Sequence, residues 1–177
     1  MSLRSEIAPQ MKVAEERYPI VLKAVLGYTY FCDEYGDEDF IEYKRVEDEL
    51  HQLTGKDMSV YDLWEYWEGE VAEVFAFRIA LPGPLVVKVI SREEITEIVT
   101  ILKVFDIPEN TEVLTFEQQF KWYLDEYYDA FLKLNCPNYS YKLFMRNKNK
   151  QGEYFEYSIE ETVNELMKKY TTKASSD

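Results

Sequence analysis

A single histidine, His51, serves the whole 177-residue chain, and that scarcity excludes much chemistry at once. A histidine-based zinc site needs two or three such ligands, and H-E-x-x-H is absent. Di-iron bundles need a Glu-x-x-His on each of two helices, whereas only Asp48-x-x-His51 comes near. A histidine-activated serine or cysteine would have to use His51. That residue follows Glu47 by one turn in the helical pattern "VEDELHQL" and reads as half of a surface pair. The phosphate-binding and nucleophile-elbow patterns G-x-x-x-x-G-K-[ST], G-x-G-x-x-G and G-x-S-x-G are also missing. No cofactor, metal or catalytic residue is therefore assigned.

Cysteine is nearly as scarce. Cys32 and Cys136 form no CxxC pair and read as reduced, buried thiols, which suits the cytoplasm. No run approaches the roughly 18 apolar residues of a membrane span. The most apolar stretch, Ile20 to Cys32, carries Lys23 and follows Glu15, Glu16 and Arg17, so it reads as a buried helix and not a signal peptide. The longest stretch without acids is also basic. Between Asp129 and Glu153 there is none, while Lys133, Lys142, Arg146, Lys148 and Lys150 fall there. Elsewhere the balance is reversed: the chain carries −14 in total, and residues 1–129 hold 28 acids against 12 bases. Such a surface repels nucleic-acid phosphates and anionic membranes, so the expected partner is neither.

What is present is apolar and aromatic material, 46% and 16% of residues, enough for one globular domain over residues 1–170, with "TTKASSD" at 171–177 as a frayed tail. Helix signals are frequent. Phe40, Tyr43, Val46, Leu50 and Leu53 form one stripe before Gly55. Ser59 and Asp62 open a second pattern, with Val60, Leu63, Trp64 and Trp67 at i, i+3, i+4 and i+7 before Gly69, which places both tryptophans in the core. Ser91 with Glu94, Thr115 with Gln118 and Ser158 with Glu161 have the spacing of capping boxes. The first of these helices is expected to carry Phe105 and stop before Pro108. The second is expected to run unbroken from Phe116 to Asn135. Between them, "VAEVFAFRIAL" and "LVVKVI" flank "PGP", and "YSYKLFMR" and "EYFEYS" flank "NKNKQG". The expectation is an α+β fold with an antiparallel sheet of two β-hairpins, about 71–90 and 139–157, packed with five or six helices.

The acids are concentrated. From Asp33 to Glu49 there are nine against Lys44 and Arg45, a net of −7. An EF-hand reading fails, because from Asp33 position 3 is Tyr35 and position 12 is Lys44. Asp37 reads as the cap of the following helix, with Glu38 and Asp39 in its first turn, where they suit the helix dipole. Asp33, Glu34, Glu42 and Glu49 remain as surface charge. From Asp57 to Glu73 six more acids occur without a base, interleaved with aromatics. Tyr61 and Tyr66 fall off the apolar stripe and are expected to be exposed beside Glu65 and Glu68. Exposed tyrosine among carboxylates is the composition of a surface for a cationic protein, with aromatics giving contact area and charge giving steering. Inhibitors and immunity proteins that neutralise cationic toxins have this profile, as do nucleic-acid mimics. The competing readings are a small-ligand binder or carboxylate-based, magnesium-dependent enzyme, and a homo-oligomeric structural component.

Overall fold

Ala14, Val21, Val25 and Tyr28 recur at helical spacing, and in the computed structural model, which describes residues 3–104 and 114–168, they are the buried face of a long first helix, α1 (Met11–Tyr35). Seven helices and one two-stranded antiparallel sheet occur among the described residues. They divide into two compact units.

One unit comprises residues 10–82 with 114–123. After α1, Gly36 takes positive φ and the chain turns into α2 (Ile41–Thr54), which Gly55 closes in the left-handed conformation. Two single 3₁₀ turns follow, Met58–Val60 and Tyr66–Glu68, and then α3 (Ala72–Ala80). The unit closes with α5 (Phe116–Phe120), whose Phe120 stacks on Phe77 at 4.4 Å between centroids and also meets Tyr18. α1 packs chiefly on α3, with α2 alongside, around Val21, Val25, Tyr28, Val46, Leu50, Leu63, Phe75 and Ile79. Each such buried side chain contributes roughly 1.5–3 kcal/mol relative to exposure.

The other unit comprises residues 3–9, 83–104 and 124–168. Its helices are α4 (Arg92–Lys103), α6 (Asp125–Asn135) and α7 (Ile159–Met167), with α4 packed against both others. The three expected capping boxes form, at Ser91, Thr115 and Ser158. The Tyr127 hydroxyl donates to the carbonyl of Ile7 at 3.1 Å and pins the N-terminal segment. Burial pushes that phenol up to about 12 and the Cys136 thiol up to about 11. Cys32 and Cys136 are both free thiols. Lys103 Nζ donates to the carbonyls of Leu143 and Tyr157 at 2.8 Å each, tying the segment before α7 to α4.

The first expected hairpin does not form. Residues 72–80 are the buried helix α3, apolar on nearly every side, and a continuous apolar run has no periodicity that separates a covered strand from a covered helix. Residues 84–89 form no strand, with a bend at Lys88, and a side chain holds them: Asn135 accepts from the N–H of Val87 and donates to the carbonyl of Leu85. The second hairpin shrinks to β1 (Asn147–Lys148) and β2 (Tyr154–Phe155), with Lys148 opposite Tyr154, because Tyr141–Phe144 forms a 3₁₀ turn. The expected long helix from Phe116 is broken at 121–124, and its parts belong to different units. Phe105, Pro108 and the tail lie outside the described residues. No helix among the described residues is long and apolar enough to cross a membrane.

Candidate functional site

The acidic sequence divides into structural and free carboxylates. Asp37 is buried, and its two oxygens accept from the N–H groups of Glu42 (3.1 Å) and Tyr43 (2.8 Å), capping α2 from four residues before its first residue, Ile41. The Tyr28 hydroxyl adds a longer bond of 3.4 Å. Burial alone would raise the Asp37 carboxyl, but these donors outweigh it and hold it below the usual carboxylate range. Asp37 is therefore the expected cap, displaced from the helix start because Phe40 intervenes in the left-handed conformation (φ 54°, ψ 30°). A bulky residue rarely occupies that region, at a cost of roughly 1–3 kcal/mol.

Glu42 and Glu49 share one cation. Arg45 reaches Glu42 at 2.6 Å and Glu49 at 3.0 Å, and these pairs line a groove of about 620 Å³ between α1 and α2. The α1 wall of the groove carries Pro19, Ile20, Lys23, Tyr30, Phe31 and Tyr35, of which Tyr35 is 73% exposed and Tyr30 62%. Asp33 and Glu34 lie exposed in the last turn of α1. A second hollow of about 430 Å³ is lined by Phe40, Tyr43, Val60, Tyr61, Trp64, Asp62 and Glu65. Asp62 Oδ1 accepts from the N–H groups of Trp64 and Glu65, a local turn that takes the place of the expected helix from Ser59.

The aromatic assignments are reversed from expectation. Tyr66 is buried and stacked on Phe75 at 4.6 Å, and its hydroxyl meets Thr29 at 2.9 Å. Thr29 spends its proton on the Val25 carbonyl, so Tyr66 is the donor. Trp67 is 62% exposed and Trp64 38%, with Trp67 Nε1 donating to the Trp64 carbonyl. The helical wheel fails here because the segment is two 3₁₀ turns joined by an irregular stretch, so i, i+3, i+4 spacing selects no common face. Tyr61 is half-buried, and Lys56 Nζ both donates to its hydroxyl and lies 5.3 Å from its ring centroid. Glu65 and Glu68 are exposed.

The structure thus brings Glu42 and Glu49 together in the groove, and Tyr61 with Glu65 in the second hollow. Tyr30, Tyr35, Phe40 and Trp64 were missed. Tyr30 lies opposite the buried stripe of Val21, Val25 and Tyr28, a position readable from the 3.6 period, whereas Tyr35 continues that stripe seven residues after Tyr28 and is exposed where α1 ends. His51 makes a structural bond, its Nδ1 meeting the Lys56 carbonyl at 2.7 Å, in place of the expected pair with Glu47. Among the described residues no three His, Cys, Asp or Glu side chains converge as metal ligands. Comparison of the chain with protein-family models, curated proteins and solved structures found no significant match.

Proposed function

We propose that this chain is a non-catalytic protein-binding module acting in the cytoplasm, whose acidic and aromatic face, built on α1, α2 and residues 57–68, engages a cationic protein. The observation that carries this reading is the exposure of Tyr30, Tyr35, Phe40, Trp64 and Trp67 among carboxylates within one unit. Aromatic side chains in such number at a surface supply contact area at low entropic cost, and the surrounding acids select a positive partner. Inhibition of a cationic toxin or enzyme, or mimicry of nucleic acid, is the role that fits such a face.

A carboxylate-based enzyme is the weaker reading. A general acid near neutral pH needs a carboxyl raised by burial. Five described carboxyls, Asp37, Glu42, Asp57, Glu93 and Glu161, move downward instead, each through local hydrogen bonds or ion pairs.

The test compares wild type with D33N/E34Q/E68Q in capture from the native host, followed by kinetics on the recovered partner. Those three carboxylates are exposed, so the variant should fold normally. Association should slow about tenfold at low salt, with dissociation unchanged, because peripheral charges act through steering. Equal association rates for both proteins would refute the acidic face.

A further inference from the structure

We propose that the hollow beside Phe40 and Trp64 is the anchor pocket of that face, taking one arginine or lysine side chain of the partner onto the two rings with Asp62 and Glu65 as counter-charges. The inference rests on the protein-binding reading and adds a specific subsite to it.

Four observations point to a cation. First, four of the pocket's lining residues are aromatic (Phe40, Tyr43, Tyr61 and Trp64), and indole, phenol and phenyl faces attract ammonium and guanidinium groups. Second, the acids lining it are Asp62 and Glu65, with no base among the lining residues. Asp62 uses Oδ1 for its backbone bonds, and no hydrogen bond of its Oδ2 occurs among the described residues. Third, the chain already places a cation beside an aromatic residue of this hollow, where Lys56 Nζ donates to the Tyr61 hydroxyl. That internal cation engages the Tyr61 hydroxyl and leaves Trp64 and Phe40, 5.5 Å apart and tilted by 47°, as the platform for an incoming one.

The fourth observation is the conformation of Phe40. Its left-handed backbone is unfavourable for a bulky side chain, yet it sets the ring against both Trp64 and Tyr43 while keeping it 47% exposed. Packing alone does not call for strain at an exposed position, whereas a preformed binding wall does. The N-terminal end of α2 would oppose a cation nearby, but Asp37 already occupies its first N–H groups. The local field is negative as well. Behind burial, Glu47 and Asp62 both push the Tyr43 phenol upward.

The probes are ethylguanidinium and n-butylammonium chlorides, side-chain analogues of arginine and lysine, with n-butanol as the neutral control. They are titrated into the full chain at constant ionic strength while the Trp64 indole N–H resonance is followed, assigned by its loss in W64L. A saturable shift with either cation and none with butanol is the expected result, and the tighter cation names the side chain. E65Q, which alters an exposed carboxylate with no part in the fold, should weaken the titration at least threefold, and F40N by more. Equal shifts with butanol, no saturation with either cation, or an unchanged titration in E65Q and F40N would overturn the pocket. D33N/E34Q/E68Q should leave this titration within twofold of wild type. Slower partner association in that variant, combined with a flat cation titration, would refute the pocket and leave the binding face standing. A saturable titration with association unchanged would do the reverse.

Discussion

Tyr66 stacks on Phe75 with centroids 4.6 Å apart and planes within 11°, and both rings belong to the core that also holds Val21 and Val25 of α1. Two residues' distance in sequence separates this buried ring from the exposed indole of Trp64. The contrast has a thermodynamic consequence. Y66A should cost about 3–5 kcal/mol, the range for removing a large buried ring. W67A should lie within about 0.5 kcal/mol of wild type, as exposed substitutions do. Urea denaturation of both variants checks the pair, and similar losses in the two would place Trp67 in the core.

The Asp37 carboxylate is held below its ordinary range in the folded chain, so its stabilisation is present above the unfolded value near 4 and is lost as pH falls through the folded value. D37N should therefore be less stable than wild type at pH 7. The gap should hold down to about pH 5 and narrow below about pH 4. Thermal melts of both proteins from pH 7 to pH 3 measure it. A gap independent of pH would show that the carboxylate charge is not what caps α2.

Lys103 supplies two hydrogen bonds to the carbonyls of Leu143 and Tyr157, and burial pushes its ammonium downward. K103M keeps the length of the side chain and removes both bonds. A loss of roughly 1–3 kcal/mol is expected from leaving the two acceptors unserved. Hydrogen exchange should show faster opening around Ser158 and α7, with the α1–α3 amides unchanged. Uniform acceleration across the chain would contradict this.

Arg45 is shared by Glu42 and Glu49, so E42Q and E49Q should each cost less than about 1 kcal/mol, as exposed pairs do. Their combination should exceed the sum of the two, since each carboxylate compensates for loss of the other. A double-mutant cycle in low salt, repeated at 1 M salt where the Debye length falls to about 3 Å, checks both size and origin.

Local signals in the sequence proved sound where they were chemical. Ser91, Thr115 and Ser158 cap the helices their spacing marks, Gly55 ends α2, and Asp37 caps it, because each rests on a hydrogen bond between near neighbours. Failures came where burial had to be inferred. Val74 to Ala80 is apolar but for Arg78, so a period of 2 and a period of 3.6 fit it equally. Trp64 and Trp67 fit a helical stripe on a segment that is not a continuous helix. The exposed carboxylates Asp33, Glu34, Glu65 and Glu68 were legible from composition. The Phe40–Trp64 platform was not, because it depends on a left-handed residue whose sequence offers no glycine or asparagine to announce it.

Phe116 and Phe120 follow α1, α2 and α3, the helices of their unit that end before Pro82, yet pack back on Tyr18 and Phe77. The order of synthesis is therefore not the order of completion. A ribosome that has released residues 1–82 has produced α1, α2 and α3 with the ring of Phe77 and one side of Tyr18 uncovered, and about forty further residues must emerge before they are covered. During that interval the nascent chain presents an aromatic surface that its finished form hides. The same interlock bears on dissection of the gene: a fragment ending at Pro82 retains the acidic face but not the aromatic residues that close the core behind it, so fragments intended to isolate that face must carry residues 114–123 as well.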